Sequence, residues 1–510
     1  MNVCKKSLLL LFLIATIGFT LFAFTEEKDG AIAEERPNIL VILADDLGYG
    51  DLQCYNPNSQ VETPHLDRLS QEGVRFTDAH SGSAVCSPTR YGLVTGRYAF
   101  RSPLKQGVLG GYSPPLIEAD RFTIANLLKQ AGYETGVIGK WHLGLGWPEI
   151  SGSEPEPSHE PHQWPQGDNL DIETNLTSGP AELGFDYSFL VPSSLDIPPY
   201  LYLENGQPSS REIVEIQGNN EPRGVFWRTG RGSSDFKISE TLDHLGEKAQ
   251  EYIVGQSKRE KPFFLYLPLT SPHTPWLPSD PFQGQSGAGT YGDFVAHTDA
   301  VVGRVLRTLD SLGLKDNTLV VFTSDNGADW KPGDKEAFPK HRANGILRGQ
   351  KSDIWEGGHR VPFIVRWPQK ITKHKDASQT VCINDLMATL AAITQQKLPA
   401  NAAQDSYDFS PVLATSNYTK PIRPSLIHHS ISGMFSIRKG KWKYVEGSGS
   451  GGWSKDESPT KNLSAQLYDM ENDPAETRNL LKQNPKIATE LKVLLTQQRE
   501  AGYTRPGAKK

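Results

Sequence analysis

The chain of 510 residues carries 53 basic and 59 acidic side chains, for a formal net charge of −6. That length is ample for a large core, and so mild a charge with no basic block argues against a nucleic-acid partner. Its four cysteines are too few for a disulfide framework.

Lys5 and Lys6 precede an uncharged apolar run from Ser7 to Phe24, the pattern of a secretory signal. Ala31 and Ala33 offer a small-x-small cleavage site, so residues 1–33 read as a signal peptide whose cleaved bond stays open; an uncleaved anchor is the other reading. The folded part is expected outside the cytoplasm, periplasmic or secreted. No later segment is long and apolar enough to span a bilayer, so no stable membrane partner is expected. Cys54, Cys86 and Cys382 are then an odd set with at least one unpaired thiol, and a Cys54–Cys382 bridge remains open.

Folded structure is expected to start at "RPNILVILADDLGYGD". The run from Asn38 to Ala44 predicts a strand buried on both faces of a parallel sheet, with Asp45 and Asp46 just past its end. "TPHLDRLSQEGVRF" predicts a helix capped by Thr63, with Pro64 in its first turn and Gly73 ending it. "AVCSPTRYGLVTGRY" reads as a loop-like run of small and turn-forming residues. A helix through Leu127 and Leu128 and a strand around Val137 follow. The acidic, Pro- and Gly-rich "GWPEISGSEPEPSHEPHQWPQGDN" reads as an inserted surface loop.

"DAVVGRVLRTLDSLGLKDNTLVVFTSDNG" gives an amphipathic helix, a stop at Gly313 and a buried strand from Thr318 to Thr323, again with Asp325 and Asn326 just beyond. The alternation predicts an α/β fold with a mostly parallel central sheet over residues 36–400, and in such sheets sites gather at the strands' carboxyl ends. After about Ala400 come short antiparallel strands in "MFSIRKGKWKYVEG" and "AQLYDMENDP", separated by the flexible "GSGSGGWSKDESPT" and closed by a last helix. Residues 401–510 are expected to form a smaller α+β domain.

The two acidic pairs supply only oxygen ligands, which suit calcium or magnesium better than zinc. "DDLGYGD" alone is equally a polar strand end; two such pairs at equivalent strand ends favour a metal. Lys140 and His142 in "GKWHLG", His273 in "SPHTP", and Arg348 and Lys351 in "LRGQKSDIWEGG" add positive charge. A divalent cation among basic residues fits a tetrahedral oxyanion, and phosphate and sulfate esters both qualify.

"CSPTRYGLVTGR" resembles the Cys-x-Pro-x-Arg…Thr-Gly signature of the formylglycine-dependent sulfatases, and "GYETGVIGKWH" resembles their second signature. Thr89 stands where that family more often has serine or alanine. The resemblance runs from "RPNILVILADDLGYGD" to "LYDMENDPAETRNL" and implies an alkaline-phosphatase-like sulfatase fold. It also implies that a maturation enzyme, reading Pro88 and Arg90, oxidises Cys86 to Cα-formylglycine (3-oxoalanine). One hydroxyl of the hydrated aldehyde would attack sulfur to give a covalent sulfo-enzyme, and the second would expel sulfate. By the same resemblance Asp45, Asp46, Asp325 and Asn326, joined by the modified Cys86, hold one calcium ion, and Arg90 steadies the formylglycine. Lys140 and Lys351 hold sulfate oxygens, His142 is the base on the diol, and His273 is the acid toward the departing alcohol. Arg348 and His341 receive no role.

The expected substrate is a sulfated saccharide. The resemblance to arylsulfatase-like enzymes, including N-acetylgalactosamine-6-sulfatases, leaves algal ulvan or carrageenan and glycosaminoglycans open. "GFDYSFLVPSSLDIPPY" and the region from Trp330 to Asn344 are candidates for contacts to sugar hydroxyls. The rival readings are a phosphomonoesterase or phosphodiesterase of the same fold and a non-catalytic carbohydrate-binding relative.

Overall fold

In a computed structural model, the structure describes residues 36–150, 164–415 and 417–510. The expected signal peptide and the centre of the acidic insertion lie outside the described residues. Pro37–Lys510 form one compact unit.

Ten strands build the central sheet: β1 (Asn38–Asp45), β2 (Val74–Phe76), β3 (Glu134–Lys140), β4 (Tyr187–Val191), β5 (Leu203–Glu204), β6 (Gln207–Pro208), β7 (Phe263–Pro272), β8 (Thr318–Ser324), β9 (Phe363–Arg366) and β10 (Lys375–Ala377). Their order is β10-β2-β9-β8-β1-β7-β3-β4-β5-β6. The central five, β8, β1, β7, β3 and β4, are mutually parallel, which is the expected fold class. β9 runs antiparallel to both β8 and β2, and β5 and β6 form an antiparallel margin. The reversal at β9 left no trace in the apolar runs, because its partners β8 and β2 lie well outside the segment itself.

The apolar continuity of β1 follows from its two buried faces. Ile39, Val41 and Leu43 pack in one core with Tyr266, Val321 and Leu93, while Leu40 and Ile42 pack in another with Leu267 and Phe322. Each such aliphatic side chain stabilises the fold by roughly 1.5–3 kcal/mol. The first core is covered by α2 (Cys86–Thr95) and α3 (Ile124–Gln130), the second by α1 (Pro64–Gln71), α4 (Thr241–Gln256) and α5 (Gly289–Ser311). Pro64 opens α1 as expected, but Thr63 makes no cap; its Oγ1 accepts from the Gln53 N–H at 3.2 Å.

The loop expected at "AVCSPTRYGLVTGRY" is a helix. All ten residues of α2 are buried, and its small side chains serve close packing rather than turns. A Cβ on Gly92 would stand 2.4 Å from Asn384 Oδ1. The turn-forming residue that ends it is Gly96, left-handed at φ 63° with its N–H on the Gly92 carbonyl.

Near the C-terminus, β11 (Leu426–His429), β12 (Phe435–Lys439), β13 (Trp442–Val445) and β14 (Gln466–Asp469) form a four-stranded antiparallel sheet, and the last helix, Pro485–Ala501, packs with it. The Gly/Ser-rich separator is tied down at its centre: the Ile354 N–H donates to Ser450 O at 2.8 Å and the Trp453 N–H to Ser352 Oγ at 2.9 Å. Cys54, Cys86 and Cys382 are all free, which settles the open Cys54–Cys382 pairing against a bridge. No helix among the described residues is long and apolar enough to cross a membrane.

Candidate active site

Parallel pairing of β1 with β8, with Ala44 opposite Ser324, sets the two acidic pairs side by side at the strands' carboxyl ends. The Asp325 N–H donates to Ala44 O at 3.1 Å, the Asp46 N–H to Asp325 Oδ1 at 3.2 Å, and Asn326 Nδ2 to Asp46 Oδ1 at 2.6 Å. Asp46 reaches this position through a left-handed backbone, φ 63°, and His142 through one of 56°. Such conformations cost about 1–3 kcal/mol and recur at functional sites. All four side chains are buried, and Asp45 Oδ1 and Asn326 Oδ1 have no hydrogen-bond partner. Two orphaned hard oxygens among three carboxylates fit a calcium-type cation.

The cations close on the same carboxylates. Lys140, at the end of β3, places Nζ 2.6 Å from Asp45 Oδ2; Lys351 Nζ lies 2.7 Å from Asp46 Oδ2. Arg90, one helical turn after Cys86, donates Nη2 to Asp325 Oδ2 at 2.8 Å and Nη1 to the Lys140 carbonyl at 2.9 Å. Three buried carboxylates thus face three buried cations, and adding a divalent ion would leave the site positive and ready for an anion. Burial and the Asp45 carboxylate push the Asp325 carboxyl upward, which also marks a place that welcomes positive charge.

Cys86 begins α2, so its side chain sits at the positive end of a helix dipole. Atoms of Asp45, Asp46, Cys86 and His273 lie within 4.8 Å of one another. Burial pushes the Cys86 thiol up to about 12, although Lys140 and Lys351 pull the other way. At neutral pH it is a protonated thiol and a poor nucleophile.

Both histidines of the site are neutral. Burial, then Lys140 and Arg90, hold His142 well below the usual imidazole range; its Nε2–H donates to Leu109 O at 2.8 Å and leaves Nδ1 buried and unpartnered. His273 is pushed down to about 3 by burial, Lys351 and Lys140. Its Nδ1–H donates to Thr274 O at 2.6 Å, so the bare Nε2 points toward Asp46 Oδ2, 3.7 Å away.

All ten residues singled out in the sequence therefore converge. Behind them lies a layer built on Asp51 and Tyr291, which were not singled out, and on His341 and Arg348, which were named without a role. Asp51 accepts from His341 Nε2 at 2.9 Å, from Tyr291 OH at 2.5 Å and from the Gly48 N–H at 2.7 Å, and Tyr291 OH also reaches Asp46 O at 3.2 Å. This fixes the turn that carries Asp46 and explains His341. The signal was the third acid in "DDLGYGD", whose partners lie 240 and 290 positions away. Arg348 stacks 3.6 Å over the Trp355 ring and donates to Tyr468 OH and Asp456, anchoring the Lys351 loop to the C-terminal sheet.

Of the two regions offered for sugar contacts, "GFDYSFLVPSSLDIPPY" brings Asp196 Oδ1, buried and unpartnered, within 4.0 Å of His273 Nδ1. Trp330 is buried against Tyr291 and His341 and serves the core.

Comparison with known proteins bears on this arrangement. A sulfatase family model matches residues 37–396. The chain is 38% identical over 509 aligned residues to an N-acetylgalactosamine-6-O-sulfatase of Bacteroides thetaiotaomicron, covering 92% of this chain and 94% of that one. It is 32% identical over 474 residues to human arylsulfatase A, covering 89% and 85%. A solved structure of a Bacteroides thetaiotaomicron protein of multiple-glycosaminoglycan metabolism superposes with a TM-score of 0.76 at 35% identity, over 91% of this chain and 99% of that one. Sulfatases of this family generally use formylglycine and a divalent metal. With the family model over most of its length and relatives aligned nearly end to end, this chain belongs to the sulfatase family and is a sulfuric ester hydrolase.

Proposed function

We propose that the protein removes sulfate from a sulfated carbohydrate, with N-acetylgalactosamine 6-sulfate or a glycosaminoglycan fragment as its substrate class. The observation that carries this reading is the convergence of Cys86, three cations and four oxygen ligands in one buried cluster, in a chain 38% identical to an N-acetylgalactosamine-6-O-sulfatase.

In this reading Cys86 is converted by a maturation enzyme to formylglycine, whose hydrate supplies the attacking oxygen. Asp45, Asp46, Asp325 and Asn326 hold calcium, with the modified Cys86 beside them, and the ion contributes positive charge for the sulfate oxygens. Lys140 and Lys351 bind sulfate, and their short contacts to Asp45 and Asp46 fix both ammonium groups in place before it arrives. Arg90, held by Asp325 and the Lys140 carbonyl, keeps the start of α2 in register with the metal ligands. The lone pair on His142 Nδ1 takes the hydroxyl proton. His273 serves the leaving oxygen: the ester's negative charge offsets Lys351 and Lys140, two of the groups that depress it, and so favours its protonation. The apolar leader from Ser7 to Phe24 supports export to the periplasm or medium.

The experiment is sulfate release from N-acetylgalactosamine 6-sulfate and glycosaminoglycan oligosaccharides by protein co-expressed with a formylglycine-generating enzyme. Mass spectrometry of the tryptic peptide Phe76–Arg90 is expected to show an aldehyde, and Cys86→Ala to lower turnover at least about a thousandfold. An unmodified thiol in an active enzyme, or activity retained in Cys86→Ala, would refute the assignment.

A further inference from the structure

The segment joining β13 to β14 holds an exposed aromatic ring where the fold offers it no core. Of the ten tryptophans in the chain, nine are buried or half-buried, whereas Trp453 keeps 47% of its surface exposed. Its backbone is nonetheless fixed. The Trp453 N–H donates to Ser352 Oγ and the Ser454 N–H to Asp353 Oδ1 at 3.1 Å. A Cβ on Gly452 would fall 2.5 Å from Ser352 O and 2.6 Å from Asp353 Oδ1, so only glycine lets this loop lie so close to the Lys351 loop. The glycines that read as a flexible separator are the means of attachment.

The attachment aims the indole at the sulfate site. Lys351 Nζ, itself bound to Asp46, is 5.9 Å from the centre of the Trp453 ring, and Lys331 Nζ is 5.9 Å from it as well. Asp329 follows the metal-ligand pair by three residues. Its Oδ2 lies 3.7 Å from Lys331 Nζ, and its Oδ1 is buried with no hydrogen-bond partner. An apolar ring, an ammonium group and an unclaimed acceptor together match a sugar, which presents a C–H face and hydroxyl donors around its edge.

We propose that Trp453, Lys331 and Asp329 form a sugar-binding wall at the mouth of the sulfate site, with the pyranose stacked on the indole and one of its hydroxyls donating to Asp329 Oδ1. The proposal rests on the carbohydrate reading given above. It makes the C-terminal segment a determinant of which sulfate ester is accepted, separate from the groups that act on sulfur.

The test is steady-state kinetics of the matured enzyme on N-acetylgalactosamine 6-sulfate, with inorganic sulfate as a competitive inhibitor. Trp453→Ala is expected to raise KM at least tenfold while the inhibition constant for sulfate stays within twofold, and Trp453→Phe to recover most of the loss. Asp329→Asn is expected to raise KM at least fivefold. The wall is overturned if KM in Trp453→Ala moves less than twofold. It is equally overturned if the sulfate constant rises in step with KM, since the indole would then merely hold Lys351 in position. A wild-type enzyme that cleaves an aryl sulfate but no sugar sulfate overturns the carbohydrate reading, and this proposal with it.

Discussion

Arg90 shows what a single buried charge does here. Its guanidinium is fully buried and reaches Asp325 with both Nε and Nη2, at 3.1 and 2.8 Å, while Nη1 takes the Lys140 carbonyl. A lysine carries the same charge but has no planar fork and cannot make these bonds together. Arg90→Lys is therefore expected to destabilise the protein by about 3 kcal/mol and to abolish most activity. Denaturant unfolding beside a turnover assay checks this; unchanged stability would mean that Asp325 finds its compensation elsewhere. At this scale the sequence was most informative. Residue type and position after a strand pointed to Asp45, Asp46, Asp325 and Asn326. Asp51 escaped notice because its role lies in Tyr291 and His341, which no local pattern ties to it.

Among elements, the contact between the short helix Glu356–His359 and the C-terminal sheet has its own chemistry. His80, His359 and His428 lie together, fully buried, with His359 and His428 stacked at 3.7 Å between ring centres. Lys443 Nζ is 3.0 Å from His359 Nε2 and 2.8 Å from Glu476 Oε1; Asp78 Oδ1 is 3.0 Å from His80 Nε2. Burial, then Lys443, holds His359 well below its usual range; burial, then the two neighbouring imidazoles, does the same for His428. Their folded values lie below the unfolded one, so their neutral state favours folding above about pH 6.5. Stability falls as the pH drops through that value, by up to about 1.4 kcal/mol per unit for each group. The opening equilibrium of β11 to β13, read from hydrogen exchange relative to the intrinsic rate at each pH, is expected to shift toward the open form as the pH falls from about 7.5 to about 5.5, and His428→Gln to flatten that dependence. An opening equilibrium that does not change with pH would exclude the imidazoles as its cause. The strands β11 to β14 were legible only in part: the two hairpin strands and "AQLYDMENDP" announced themselves, but Leu426–His429, with two histidines in a four-residue strand, did not.

For the whole molecule, the oxygen cluster ties together the ends of β1 and β8, whose donors Asp45, Asp46, Asp325 and Asn326 are far apart in the chain. A cation that binds only the assembled site adds stability by mass action, about 2.7 kcal/mol at a hundredfold excess over its Kd. Chelation is expected to lower the melting temperature and to remove activity, with calcium restoring both better than zinc; a melting temperature indifferent to chelator and calcium would contradict the donor assignment. The alternation of helices and apolar strands made the parallel centre of the sheet legible. The antiparallel pairing of β9 with β2 and the pinned Ser450–Ser454 loop depend on partners about a hundred residues away or more, and only the folded chain reveals them.

The attachment of the C-terminal segment also sets an order in time. Every group assigned above to the metal and to sulfate has been synthesised by Lys351, yet the Ala84 N–H, two residues before Cys86, is satisfied by His429 O, and the Ile354 N–H by Ser450 O. Until those residues arrive, the Ala84 N–H at the start of α2 lacks its acceptor, whereas in the folded chain Cys86 is 2% exposed. Under the maturation proposed above, the chain's direction of synthesis would place the alteration of Cys86 before the fold closes over it.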